Sequence, residues 1–144
     1  MNDIELMDIY ESVSGSEAIT LLYKWLGQRT PQESISHKTM PSMKEHTDFI
    51  FSHPYHAWYI IKAEGRYVGS IYITKSREVG IHIDIAERGK GYGSMALQTL
   101  RTLWKQSKHT GALLANINPR NHRSIAFFKR HGATLLQHTY KMGG

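Results

Sequence analysis

The chain has 144 residues, 40% of them hydrophobic, a net charge of +6 and no cysteine. That length and apolar content suit one folded domain with a real core, not a disordered chain. The absent cysteines exclude disulfides, Cys-ligated zinc and a thiol nucleophile, and no apolar run reaches the roughly 18 residues of a membrane helix.

The first residues, 1–5, are acidic and lack the layout of a signal peptide, so the expected compartment is the cytoplasm. The basic surplus suits a polyanion. Lys and Arg are spread without a tract, so a phosphorylated cofactor is favoured over nucleic acid, which stays open as a partner.

Ile4, Leu6 and Ile9 mark a strand or arm over the first ten residues. Ala18, Leu21, Leu22 and Trp25 recur at helical spacing over 17–26, and Gly27 reads as the stop. Residues 28–40 are polar, contain Pro31 and read as a loop. Ser42 followed by Glu45 is a capping box opening a second helix, whose apolar face would use Met43, Phe49 and Ile50. Residues 57–62 are aromatic and β-branched, as are 67–74, with a turn at 63–66, which predicts a hairpin. Over 78–85, Val79, Ile81, Ile83 and Ile85 would face one way, and Glu78, Gly80, His82 and Asp84 the other. A helix follows from Ser94 to Trp104, with Ala96, Leu97, Leu100, Leu103 and Trp104 on one face. Residues 112–117 predict a strand, Asn121 caps a helix through Arg130, Gly132 stops it, and 133–141 predict a last strand.

Between the strand at 78–85 and the next helix stands Arg88-Gly89-Lys90-Gly91-Tyr92-Gly93-Ser94. Glycines there let phosphate oxygens approach the backbone, and the helix N-terminus adds its positive dipole end. Neither the Walker pattern nor Gly-x-Gly-x-x-Gly is present. A glycine-rich connection without a ligand is the plain alternative for such a loop alone.

The segment Arg88–Gly93 resembles the Arg/Gln-x-x-Gly-x-Gly/Ala signature of the GNAT superfamily of acyl-CoA N-acyltransferases. A second block, residues 118–133, resembles that family's Asn-x-x-Ser/Ala segment at matching spacing. The resemblance implies a single GNAT-like α/β (α+β) domain over 1–144. Its sheet would be mixed and mostly antiparallel, with about six to seven strands flanked by about four helices. It implies acetyl-CoA as the donor, transferred to a primary amine of a small-molecule acceptor. A macromolecular amine (protein or modified nucleobase) and a non-catalytic acyl-CoA-binding module are the alternatives. No membrane partner is expected, and a homodimer is left open.

By the same resemblance, the backbone of Arg88, Gly89, Lys90, Gly91, Tyr92, Gly93 and Ser94 would hold the pyrophosphate. The backbone of Ile83, Asp84 and Ile85 would pair with the pantetheine arm across a gap from Asn116. Asn121, Ser124, Phe127 and Phe128 would complete the cofactor site. Phe128 stands where many relatives carry a Tyr that protonates the leaving thiolate, so water, Tyr140 or another group would be the acid. A thiol pKa near 8.5 makes that leaving group tolerable.

An alkyl amine of pKa about 10.4 is only about 0.04% neutral at pH 7, so a base is needed. Glu78 is the first choice, and its plain alternative is a surface ion pair. His82 is the second, with a packing histidine as its alternative. Asp84 is expected to be solvated. His37, Met40, Tyr55 and Trp58 are candidates to line the acceptor pocket. His37, His46, His53 and His56 lie close in sequence but follow no ligand spacing, so no metal is expected.

Overall fold

The computed structural model describes residues 3–29 and 39–143. In chain order the elements are β1 (Ile4–Asp8), α1 (Gly15–Gly27), α2 (Met43–Phe51), β2 (Tyr55–Ala63), β3 (Arg66–Thr74) and β4 (Val79–Ile83). A 3-10 turn (Ile85–Glu87), α3 (Tyr92–Gln106) and α4 (His122–Arg130) follow. The four strands form one antiparallel sheet in the order β1-β2-β3-β4.

Local chemistry accounts for most boundaries. Glu64 and Gly65 join β2 to β3 with φ of 51° and 79°, the two positive values a tight two-residue hairpin turn requires. Ser42 accepts from the Glu45 N–H (3.1 Å) while the Glu45 carboxylate accepts from the Ser42 N–H (2.9 Å), so the capping box is complete. Asn121 caps α4 by accepting from the Ser124 N–H at 3.1 Å.

The sheet is buried on both faces. α3 packs Tyr92, Ala96, Leu97 and Leu100 against Ile61, Ala63, Val68, Ile71, Ile73 and Val79. α1 and α2 cover the other face with Ala18, Leu22, Trp25 and Ile50 over Trp58 and Ile60. Two covered faces explain why β2 and β3 read as nearly continuous apolar runs.

Several expectations are corrected. The described residues form four strands, not six to seven. Residues 112–117 contribute one parallel bridge, Glu78 to Leu114, before Asn118 and Pro119 turn the chain away. Residues 133–143 have no ladder and are exposed; Leu135 and Leu136 are adjacent, so both cannot face one core. Ile85 does not continue the inward row of β4. It is 55% exposed, because Asp84 breaks the strand by capping the 3-10 turn. In α2 the buried positions are His46 and Ile50, while Met43 and Phe49 lie toward solvent. Leu103 is likewise at the exposed edge of α3.

Candidate active site

A cleft of about 620 Å³ runs from the glycine loop along β4 to Tyr55. It is built from the backbone upward. The Asp84 N–H donates to Val68 O and the Thr74 N–H to Glu78 O, both at 2.8 Å, so even-numbered positions on this strand carry the ladder to β3. Odd-numbered positions turn their polar groups to the opposite edge. There the Val79 N–H meets Leu114 O at 2.7 Å, and the bridge ends. The backbone of Ile81 and Ile83 therefore faces a gap, although the Ile83 carbonyl accepts from Arg88 Nε at 3.1 Å. The resemblance implies this edge at Ile83–Ile85; the open edge lies at Ile81 and Ile83, because Asp84 ends the strand by capping the 3-10 turn.

At one end of the gap, Gly89 and Gly91 take φ of 81° and 84°, and a Cβ at either would meet nothing within 4 Å. Gly91 is the N-cap of α3, and no side chain caps the helix. Among the described residues, the N–H groups of Gly89 through Ser94 have no protein acceptor. Open glycines and free amides at a helix N-terminus form an anion nest.

The nest is pinned from beneath. Glu87 accepts from Arg66 through both Nε (2.5 Å) and Nη2 (3.0 Å) and from Lys90 Nζ (2.7 Å), and these bonds hold its carboxyl down at about 2. Tyr92 is buried, donating to Glu64 at 2.7 Å. Thus Lys90 is tied to Glu87 and does not line the cleft, and only the backbone of Tyr92 remains for a ligand. The Ser94 hydroxyl is bonded to His131 Nε2 at 3.0 Å.

Asn116, Asn121, Ser124, Phe127 and Phe128 line the far wall. Phe127 packs near Gly93 and Ile83, and its ring meets that of Phe128 edge-on. Phe128 brings no proton donor. Tyr140 is 78% exposed and does not line the cleft, so it is not placed to act as the acid.

Glu78, immediately before β4, and His82, within it, both line the cleft. Glu78 accepts from Thr74 Oγ1 at 3.3 Å and from the Asn116 side-chain amide. His82 is bonded through Nε2 to Gln28 Oε1 at 2.9 Å. Burial, then the charges of Arg88 and Arg29, push its pKa down to about 4 against the opposing pull of Asp84. Asp84 is corrected from solvated to buried. Burial alone would raise its pKa. Bonds from Trp25 Nε1 (3.0 Å), Ala86 N–H (3.0 Å), Lys24 Nζ (3.0 Å) and Gln28 Nε2 (3.3 Å) outweigh that and hold it well below the carboxylate range. Neither it nor Ile85 lines the cleft; the Ile85 N–H donates to Gln28 Oε1 at 3.2 Å.

At the end of the cleft away from the glycine loop, Tyr55 lines the wall and stacks on Tyr72 (4.0 Å between ring centres, 3° between planes). Sequence reasoning missed Tyr72. Its ring fills the space over Gly80, where an added Cβ would fall 2.0 Å from Tyr72 Cζ. The sequence shows both residues but not the register of β3 and β4 that sets one opposite the other. Trp58 is buried behind this pair, in the core, and does not line the cleft; its Nε1 is without a partner. Met40 is exposed beside Gly27, away from the cleft, and His37 lies outside the described residues. His46 instead bonds Ile19 O at 3.0 Å and His53 stacks on Tyr10. Among the described residues, no three His, Asp or Glu side chains converge for a metal. No helix there is long and apolar enough to cross a membrane.

The model of the Acetyltransferase (GNAT) domain matches residues 5–134. No curated protein sequence matches the chain. A domain from Methanocaldococcus jannaschii is similar in structure, with a TM-score of 0.75 at 22% identity over 92% of this chain and 88% of that one. The Campylobacter jejuni N-acetyltransferase PseH, solved with acetyl coenzyme A, has a TM-score of 0.66 at 16% identity over 95% and 92%. An acetyltransferase of Salmonella typhimurium that modifies the N-terminal serine of ribosomal protein L7/L12 has a TM-score of 0.63 at 19% identity over 88% and 78%.

Proposed function

Because the chain belongs to the GNAT acetyltransferase family and takes acetyl-CoA as its donor, we propose that it acetylates the primary amine of a small molecule by direct attack on the thioester. The observation that carries this reading is the run of unpartnered amides from Gly89 to Ser94 opening onto the edge of β4 that no strand covers at Ile81 and Ile83. These amides would hold the pyrophosphate, and Ile81 and Ile83 would pair with the pantetheine arm. Acetyl-CoA, when bound, supplies the activated acyl group.

The chain's own groups do the rest. The Glu78 carboxylate attracts the ammonium form of the acceptor into the cleft. It then takes a proton from the nitrogen, raising the neutral fraction that can attack. Thr74 and Asn116 hold that carboxylate in place. The N–H of Ile81, farther from the glycine loop than Ile83, is the donor for the charge that develops on the thioester oxygen. Tyr55 and Tyr72 give the acceptor end a flat aromatic wall, suited to a compact polar molecule.

Two features keep other readings in the test. The Salmonella typhimurium neighbour acts on a protein N-terminus. Phe128 offers no proton to the thiolate, which favours an acyl-CoA-binding module without catalysis. Thermal shift with acetyl-CoA, followed by thiol release with panels of small amines and of peptides, separates all three. Stabilisation by acetyl-CoA with release on small amines is the expected result. Release only on peptides makes the acceptor a protein, and binding without release makes the chain a non-catalytic module. Glu78→Gln should cut turnover at least tenfold while acetyl-CoA affinity holds; this is a lower estimate of what general-base catalysis supplies. Wild-type turnover in that variant removes Glu78 from the base role.

A further inference from the structure

The His82 ring is one link in a buried chain of hydrogen bonds that acyl transfer, as described above, does not use. We infer that Gln28 is a positioning residue that fixes His82 as its Nε2–H tautomer, so that Nδ1 offers a lone pair to the acceptor amine. The proposal rests on the acyl-transfer reading and names what orients the acceptor within it.

The argument begins with the amide of Gln28, whose orientation is set by two partners of unambiguous character. Asp84 is ionised and can only accept, and Gln28 Nε2 lies 3.3 Å from its Oδ1. The Ile85 N–H can only donate, and Gln28 Oε1 lies 3.2 Å from it. The oxygen therefore faces Ile85 and His82. An oxygen acceptor at 2.9 Å requires that His82 Nε2 carry the proton.

The ring is neutral near pH 7, because it is buried and the cations of Arg88 and Arg29 face it, with Asp84 alone opposing them. One proton on Nε2 leaves Nδ1 bare. Among the described residues Nδ1 has no protein partner, and His82 lines the cleft. Nδ1 is thus an acceptor for an N–H of the substrate. A ring so reluctant to protonate holds the amine by a hydrogen bond and does not remove its proton, which leaves that step to Glu78.

The Asp84 end of the chain is equally fixed. Lys24 and Trp25 from α1 and the Ala86 N–H all donate to its carboxylate, so Gln28 cannot turn over without setting its carbonyl oxygen against Asp84. The polar run 28–40 predicts a loop beginning at Gln28; the residue instead caps α1 and bridges to the end of β4.

The test is a two-bond proton–nitrogen NMR spectrum of protein labelled with nitrogen-15 histidine, with His82 assigned by its loss in His82→Asn. At pH 7 the wild-type ring should show a pyrrole-like Nε2 and a pyridine-like Nδ1. Gln28→Met, of similar length but without the acceptor, should give mixed tautomers and raise KM for the amine several-fold at unchanged acetyl-CoA affinity. A wild-type ring protonated on Nδ1, or a Gln28→Met spectrum identical to wild type, overturns the proposal. So does a tautomer change that leaves KM for the amine untouched. The spectra need no turnover, so loss of the acyl-transfer reading would show separately, as absent thiol release.

Discussion

Two glycines carry opposite duties at the site. Gly91 is needed for its backbone: with φ of 84° it opens α3 in a conformation that costs other residues roughly 1–2 kcal/mol. Its open Cβ side also leaves the amides bare. Gly91→Glu should abolish acetyl-CoA binding in calorimetry while far-UV circular dichroism stays native, since a carboxylate would enter the nest. Unchanged affinity would move the pyrophosphate elsewhere. Gly80 is needed for its missing side chain, whose space Tyr72 fills. Gly80→Ala must push that ring aside, which should cost about 1–3 kcal/mol in chemical denaturation, as overpacked sites do. KM for the amine should rise with acetyl-CoA affinity intact. A variant that kept both stability and KM would show that Tyr72 does not shape the acceptor end.

Among the elements, α2 shows how far a local signal reaches. Its capping box was legible from Ser42 and Glu45 alone, because both bonds are made within one turn. Ser42→Ala should lose about 1 kcal/mol of stability, read from urea denaturation at constant slope, the usual cost of a lost N-cap. No loss would mean that the box is not held in solution. The buried face of α2 was less legible: Phe49 looked like core but sits at the rim, meeting Tyr55 and Trp58 edge-on. For β4, alternation was readable, but not that its polar row would be covered. His82 and Asp84 are buried because α1 packs over them, a contact more than fifty residues away in sequence. The strands expected at 112–117 and 133–141 had suitable composition, yet a ladder needs a partner edge, and composition does not supply one.

Across the whole molecule, buried titratable groups make stability depend on pH in one direction. His82 has a folded pKa of about 4, against roughly 6.5 unfolded. Between those values the unfolded chain binds more protons, so stability falls as pH drops. Asp84 and Glu87 are also depressed in the folded state, so they extend the loss to lower pH, below the ordinary carboxylate range near 4. The midpoint of thermal unfolding should therefore hold near pH 7 and above, decline from about 6.5 to 4, and fall further below. A midpoint flat from pH 7 to 4.5 would show that His82 is not buried as a neutral ring.

The sequence by itself determined the glycine loop, the helix it opens, the Asn121 cap and the family, because these rest on short-range backbone chemistry and on motif spacing. It also singled out Glu78 and His82, both of which line the cleft. Only the tertiary structure decided what lies against them. The packing of α1 over β4 converts Asp84 from a cofactor-side residue into the anchor of Gln28 and His82. The register of β3 and β4 lays Tyr72 over Gly80. The bridge ending at Val79 leaves the edge of Ile81 and Ile83 open. Each of these depends on which distant segment comes into contact, and single-sequence periodicity carries no record of that.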